Sequence, residues 1–418
     1  MKSKYTALTV TLLMGLSAGA QVDENYEVAT WHGFKTSAVS YTFDDNTSNQ
    51  LPVALPLFDQ YGFKVTLYTV TNWGPDWTAL QKASDNGHEV ASHTISHPRL
   101  PSISAEEQEA QLQQSQSTIR SNVQGAEVLT LAYPNCNIGD LATIEKYYIA
   151  GRVCSGQIIS AKPGDYYRLS SMIVGSQGEV NSTSAFQTKV ELAKSSGGWA
   201  VFLIHGVDND GGYSPVASSV LSEHVDFMNA NSDDYWIGTF AEVVKYIKER
   251  ESISISESAI TADSLKVTIS DGLEDALYNQ AVSIRRKLPV NWSTASVYID
   301  GAAIESDVQS ENGISYVVFD AVPDQGVITI GSAGGPAIAL ATPNDIPPVA
   351  FHPNPFSDTI QIKSGGSFKY SIYSLTGQQL SSGEGNNSIF VGKSLPSGTY
   401  LVRVNDHSSI SQFKIVKQ

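Results

Sequence analysis

From about residue 37 to residue 250 the chain alternates short apolar runs with longer helical patterns. That alternation restricts the fold more than any single residue does. Strand-like runs cover residues 37–43, 64–70, 89–93, 128–133, 199–205 and 236–239. Helical patterns fall between them, over residues 77–86, 105–123, 141–149, 185–195 and 216–229. Two helix starts are marked by capping boxes, Ser104-Ala105-Glu106-Glu107 and Thr239-Phe240-Ala241-Glu242. Strand and helix alternating at this spacing predict an α/β fold, a parallel sheet covered by helices and either open or closed into a barrel.

Residues capable of chemistry cluster at the C-terminal ends of these runs. Asp44 and Asp45 close the first, His93 closes the third, Pro134 follows the fourth and His205 closes a later one. In a parallel barrel that rim is where sites are built. His93 and His97 are spaced i, i+4, which on a helical turn puts both rings on one face, and Pro98 requires such a turn to end at His97. One carboxylate with two imidazoles is a ligand set for a divalent metal with open positions. A spare carboxylate and a third histidine can supply a base and an acid. Each piece also has a plain alternative: an acidic turn for Asp44-Asp45, surface polar histidines for the pair, and a satisfied loop histidine for His205.

The net charge of −16, with 42 acidic against 26 basic residues, argues against a nucleic-acid partner. Lys2 and Lys4 precede an apolar run from Ala7 to Leu16, followed by Ala18-Gly19-Ala20. This reads as a secretory signal peptide over residues 1–20, and no other segment has the length and apolarity of a membrane span. Charged residues make up only 16% of the chain, which suits an extracellular protein. The two cysteines, Cys136 and Cys154, are either a disulfide or two separate buried thiols.

Near Glu251 the pattern changes. Residues 252–333 show short alternating runs at 265–269, 296–299, 316–319 and 327–330, with turn signals Asp271-Gly272 and Asn312-Gly313. They read as a small β-sandwich joined tightly to the preceding helix. Trp292 and Tyr298 in it suit core or interface packing better than carbohydrate contact. Residues 334–348, rich in Gly, Ala and Pro, read as a linker. A second all-β unit follows over 349–418, so the expected division is 1–20, 21–251, 252–333, 334–348 and 349–418.

Residues 37–250 resemble the polysaccharide deacetylase family, the NodB-homology domains of carbohydrate esterase family 4. The matching motifs are Thr42-Phe43-Asp44-Asp45, His93-Thr94-Ile95-Ser96-His97 and Leu203-Ile204-His205. The resemblance implies a distorted (β/α) barrel and hydrolysis of acetyl groups. It implies that Asp45, His93 and His97 hold one divalent metal, with zinc usual and cobalt, nickel or manganese as alternatives. It further implies that Asp44 is the general base and His205 the general acid, that the backbone N–H of Asn135 holds the oxyanion, and that Leu203 lines the methyl pocket. Two departures stand out. The third motif, commonly R-x-P-[YF]-G, is here Ala132-Tyr133-Pro134-Asn135-Cys136, without its arginine and glycine. Arg152 is the expected substitute for orienting the catalytic aspartate, and Arg168 is the weaker candidate. The tryptophan-bearing fourth motif is not evident. Trp73, Trp77, Tyr133 and Tyr213 are either sugar-stacking platforms or packing aromatics.

Residues 349–418 resemble the type A sorting domain of the type IX secretion system. The matches are Phe351-His352-Pro353-Asn354-Pro355-Phe356, Tyr373-Ser374-Leu375-Thr376-Gly377 and Leu395-Pro396-Ser397-Gly398-Thr399-Tyr400-Leu401-Val402. This implies export across, or attachment to, the outer surface of a Gram-negative Bacteroidota-type cell. The expected partners are an acetylated polysaccharide or oligosaccharide and the type IX machinery, with the protein itself a monomer. N-acetyl amino sugars rank slightly ahead of O-acetyl xylan. A catalytically inert carbohydrate-binding relic and an amidase on a non-sugar substrate are the competing readings.

Overall fold

The computed structural model describes residues 21–332, 350–352, 354, 356–374, 379–405 and 410–417. The expected signal peptide and linker lie outside these residues. The chain divides into two compact units, with the boundary between residues 333 and 334.

The first unit opens with two short strands, β1 (Gln21–Val22) and β2 (Tyr26–Val28), and then builds the α/β domain. Its strands are β3 (Ser37–Asp44), β4 (Thr66–Thr69), β5 (Glu89–Ser92), β6 (Thr130–Ala132), β7 (Ala150–Arg152), β8 (Met172–Ile173), β9 (Trp199–Ile204) and β10 (Tyr235–Ile237). They form one parallel sheet in the order β7-β6-β5-β4-β3-β9-β8, with β10 also pairing β3. A parallel bridge from Arg152 to Leu169 joins β7 to the segment just before β8, so the sheet curls until its ends meet. Of the open sheet and the barrel that the alternation allowed, the barrel implied by the family resemblance is the fold observed. Sequence periodicity did not mark β7 and β8 as separate strands, because two- and three-residue strands are too short to show a period.

The helices are α1 (Leu55–Asp59), α2 (Trp77–Asp85), α3 (Ala105–Asn122), α4 (Leu141–Ile144), α5 (Thr183–Ser196), α6 (Ser218–Ala230) and α7 (Phe240–Ser252). Both predicted capping boxes form, Ser104 with Glu107 and Thr239 with Glu242. α5 stops at Gly197, whose φ of 63° gives the left-handed cap that glycine adopts without steric cost. Helix α1 was not foreseen, because Pro52 and Pro56 interrupt the pattern; Pro56 falls in the first turn, where a missing N–H costs nothing. α4 is only four residues long rather than running to residue 149.

The sheet faces follow the period of two. Along β3, Val39, Tyr41 and Phe43 join the core under the helices, while Ala38 belongs to a second cluster with Ala150, Trp199 and Phe240. Ser40, Thr42 and Asp44 continue the Ala38 face, and Arg152 continues that of Ala150. The inner face is thus apolar at its base and polar toward the C-terminal rim.

The β-sandwich follows with β11 (Ser254–Thr261), β12 (Ser264–Ser270), β13 (Val282–Lys287), β14 (Ala295–Ile299), β15 (Ala302–Ala303), β16 (Ser306–Glu311), β17 (Ile314–Ala321) and β18 (Ile328–Ser332). Its sheets are β1-β11-β12-β18-β14-β15 and β16-β17-β13-β2. Asn312 and Gly313, both at positive φ, turn β16 into β17 as their sequence signals. The expected start of this domain at residue 252 needs correction. β1 pairs with β11 and β2 with β13, so residues 21–28 complete the sandwich rather than the barrel. Two- and three-residue strands close to the start of the barrel carry no local sign of a partner more than 200 residues away. Trp292 is buried in the sandwich core, as its packing role requires, and Tyr246 of α7 reaches the same core.

The second unit is one antiparallel sheet of β19 (Ala350–His352), β20 (Ile360–Ser374), β21 (Gln379–Val391), β22 (Gly398–Asn405) and β23 (Ile410–Lys417). Its own core contains Phe356, Ile360, Ile362, Ile372, Tyr400 and Val402. Of the quoted sorting-domain motifs, Pro353, Pro355, Leu375, Thr376 and Gly377 lie outside the described residues.

Candidate active site

Asp44 is the last residue of β3, and the strand's period aims it into the barrel. Asp45 follows with φ 74°, a left-handed step that reverses the alternation and turns the second carboxylate toward the same cavity. His93 comes one residue after β5. The helical turn expected for His93 to His97 does not form. Thr94 (φ 68°) and His97 (φ 58°) are left-handed instead, and this loop brings the two rings to 4.7 Å between centroids. The Thr94 hydroxyl accepts from the His97 N–H at 3.1 Å, and Gln111 of α3 accepts from the N–H groups of Ile95 and Ser96.

The five groups converge. His93 Nε2 lies 3.5 Å from Asp45 Oδ1 and 3.6 Å from Asp44 Oδ2; His97 Nε2 is 3.7 Å from Asp45 Oδ1. His205 Nε2 lies 3.7 Å from Asp45 Oδ2 and 4.0 Å from Asp44 Oδ2. Nδ1 of His93 bonds the Ala132 carbonyl at 2.8 Å, which requires the proton there and leaves Nε2 as a free acceptor facing the carboxylates. One ligand atom from each of Asp45, His93 and His97 lies within 4.8 Å of the others, and Asp45 Oδ1 is buried without a hydrogen-bond partner. Two neutral imidazole nitrogens and an unpartnered carboxylate oxygen, converging on one point, fit a divalent cation.

Arg152 reaches across the barrel from β7. Its Nη2 donates to Asp44 Oδ2 at 2.5 Å, its Nη1 donates to Ser171 Oγ at 3.1 Å, and its guanidinium lies over the Tyr68 ring. Arg168 is on the outside, paired with Asp165. Burial alone would make Asp44 hold its proton more tightly; Arg152, His93 and His205 outweigh it and hold the carboxyl below its ordinary range. Asp45 goes the other way, pushed up to about 7 by burial and by the Asp44 charge beside it. Burial lowers His97 and His205 and takes His93 down to about 4, so all three are neutral near pH 7.

The cavity holding these residues has a volume of about 460 Å³ and is also lined by Tyr133, Asn135, Cys136, Cys154, Ile173, Leu203 and Tyr213. Cys136 and Cys154 are joined in a disulfide with Cα atoms 5.7 Å apart. It ties the loop of Asn135 to the strand of Arg152. Asn135 (φ 52°) and Cys136 (φ 57°) are both left-handed, a conformation asparagine tolerates better than most residues. Tyr213 packs edge-on to His205 at 5.0 Å and is half exposed; Trp73 lies 5.1 Å from His97 and is also about half exposed. Tyr133, by contrast, is buried and its hydroxyl donates to the Tyr167 carbonyl, and Trp77 packs against the core.

Sequence reasoning missed Gln50. Its buried side-chain amide donates to the carbonyls of Asp44 (2.5 Å) and His205 (3.0 Å), and Thr47 Oγ1 donates to the latter at 2.9 Å. Gln50 thereby fastens the ends of β3 and β9 to each other. A lone amide opening an otherwise apolar run, Gln50-Leu51-Pro52-Val53-Ala54-Leu55, was the available signal. Ser171 and Ile173 carried no signal at all.

Comparison with known proteins agrees with the motifs. Residues 33–147 match the family model described as polysaccharide deacetylase, and residues 350–418 match that of the secretion system C-terminal sorting domain. A curated relative, a gellan lyase from a Bacillus species, is 26% identical over 326 residues, covering 73% of this chain. The chain spans only 13% of that relative's length. Among solved structures, the CE4 domain of a multidomain xylanase from the hindgut metagenome of Trinervitermes trinervoides is 18% identical, with a TM-score of 0.37 over 50% of this chain and 89% of that one. The peptidoglycan deacetylase PdaC from Bacillus subtilis is 16% identical, with a TM-score of 0.37 over 51% and 92%. A CE4 family pseudoenzyme from Bacillus anthracis is 17% identical, with a TM-score of 0.38 over 51% and 66%. On its family-model matches, the chain carries a polysaccharide deacetylase domain and, over residues 350–418, a type IX secretion system sorting domain.

Proposed function

We propose that the protein is a metal-dependent deacetylase of an acetylated polysaccharide, exported through its sorting domain to the outer surface of a Bacteroidota-type cell. The observation that carries this reading is the meeting of Asp44, Asp45, His93, His97 and His205 in one cavity, with Arg152 bound to Asp44 alone of the two carboxylates. Asp45, His93 and His97 would hold the cation, zinc being the first expectation for this donor set. Bound there, a divalent cation supplies Lewis acidity toward an acyl oxygen and toward water.

The chain's own groups do the rest. Asp44 is kept anionic by Arg152 on Oδ2, while its buried Oδ1 has no partner and is free to accept the proton of the attacking water. The Asn135 backbone N–H, on the left-handed turn at the cavity wall, donates to the oxyanion. His205, neutral at rest, takes up the proton that Asp44 has drawn from the water and delivers it to the leaving group. Leu203 and Ile173 offer an apolar wall for the acetyl methyl. Expelling an amine demands protonation more strictly than expelling an alcohol, so N-acetyl amino sugars are the first substrate class. Exposed Tyr213 and Trp73 beside the cavity offer flat faces to flanking sugars.

Acetate release should be measured on chitin oligomers, peptidoglycan and acetylated xylan, before and after chelation and with zinc, cobalt, nickel or manganese restored. Release that stops on chelation and returns with an added ion is expected. Full release from chelated, metal-free protein defeats the metal reading; no release from any substrate points to a binding relic.

A further inference from the structure

A second acidic cluster lies away from the barrel rim, where the last helix meets the β-sandwich. Asp271 and Asp275 sit in the loop after β12, and Asp324 in the loop before β18. One carboxylate oxygen from each lies within 4.8 Å of the others. Asp324 Oδ2 also accepts from the Asp271 N–H at 2.9 Å, which fixes the two loops against each other. Such a cluster at a surface would be unremarkable without what lies beneath it.

Glu249 of α7 is fully buried, and neither of its carboxylate oxygens has a hydrogen-bond partner. It faces this cluster: Asp271 stands within hydrogen-bond reach of it and Asp275 adds to the local negative charge. The nearby cations are committed elsewhere, Lys245 to Glu127 and Asn279, and Lys248 over the rings of Tyr166 and Tyr278. Among the described residues no lysine or arginine pairs with any of the four carboxylates. The position near the C-terminal end of α7 is itself unfavourable for an anion. A buried carboxylate beside other acids and without a counter-charge is costly, and a cation removes that cost.

We propose that Glu249, Asp271, Asp275 and Asp324 form a binding site for a hard divalent cation of the calcium class, clamping α7 of the barrel to the β-sandwich. All four donors are carboxylates, which suit calcium or magnesium and not the softer metals. Three are supplied by loops and two of these are exposed, so water can complete a large and irregular shell, as calcium accepts and magnesium does not. The site is chemically distinct from the His-containing cavity and does not depend on the deacetylase reading.

The test uses the full chain, freed of metal with EGTA and titrated with calcium chloride or magnesium chloride to about 10 mM, roughly ten times the weakest affinity of extracellular calcium modules. Heat of binding and Tm are read together. Calcium should bind one equivalent outside the catalytic cavity and raise Tm by about 4 °C near saturation, with magnesium giving less. D275N and D324N, both exposed positions that do not threaten folding, should each weaken calcium binding at least tenfold. E249Q should weaken it likewise. Calcium without effect on Tm or heat overturns the proposal, as does a calcium response left intact in D275N, D324N and E249Q. A proton shared between Glu249 and Asp271 would produce the first of those results.

Discussion

Asp44 and Asp45 are neighbours in sequence and opposites in environment. Arg152 and the surrounding imidazoles hold Asp44 charged, whereas burial beside that charge makes Asp45 hold its proton more tightly. Pairs of acids pushed apart in this way divide roles between them. Replacing Asp44 by Asn should lower kcat by about 10²–10⁴, the span of general-base loss, while bound metal measured by elemental analysis stays at one equivalent. Metal lost together with activity would give Asp44 a ligand's role instead. A second residue-scale expectation concerns His224, which is buried far from the cavity against Phe186, with Tyr41 at 2.6 Å. Burial depresses it to about 3. As pH falls below its unfolded value, the unfolded chain takes up a proton that the native state refuses, so stability is lost on acidification. That loss should amount to about 2 kcal/mol between roughly pH 7.5 and pH 5. Urea unfolding of His224→Gln should show a smaller loss over the same interval; an equal loss would mean that His224 is not the group responsible.

Among elements, the loop after β6 and the strand β7 matter most, because the disulfide between Cys136 and Cys154 couples them. Asn135 and Arg152 lie close to that bridge in sequence, one lining the cavity as the proposed oxyanion donor and the other on Asp44. A bridge closing a loop of this size, with a sequence separation of 18, is worth about 3 kcal/mol. Changing both cysteines to Ser should therefore lower stability by that order. It should also reduce kcat more than metal content, since Asp45, His93 and His97 lie on other elements. Unchanged kcat in the double variant would show that β7 holds Arg152 without help. The same elements show where periodicity stops informing. Six of the eight barrel strands were legible because each carries enough apolar residues to display a pattern, whereas β7 and β8 exist through their neighbours' hydrogen bonds. The His93–His97 spacing was read correctly as a convergent pair but for the wrong reason: a strained loop braced by Gln111, not a helical turn, brings the rings together.

At the scale of the whole molecule, the barrel and sandwich share α7, residues 21–28 pair with the sandwich strands, and the sorting domain has a core of its own. Stopping the chain after residue 333 should leave the Tm of the first unit and its acetate release unchanged, and should abolish surface delivery in the native host. A drop in Tm of the truncated protein would reveal a stabilising role for the sorting domain. Deleting residues 21–28 should act in the opposite sense, lowering Tm measurably, because both sandwich sheets lose an edge strand.

Local patterning alone determined the layered α/β class, both capping boxes, the all-β character of the described residues after 252 and the identity of the five groups at the cavity. Each of these is written in short-range periodicity or in a fixed motif. Only the tertiary structure decided that Arg152 and not Arg168 meets Asp44, that the cysteines are bridged, that Gln50 ties two strand ends and that residues 21–28 belong to the sandwich. Those outcomes depend on which strands become neighbours across a closed sheet, a property of the curled backbone that no local pattern encodes.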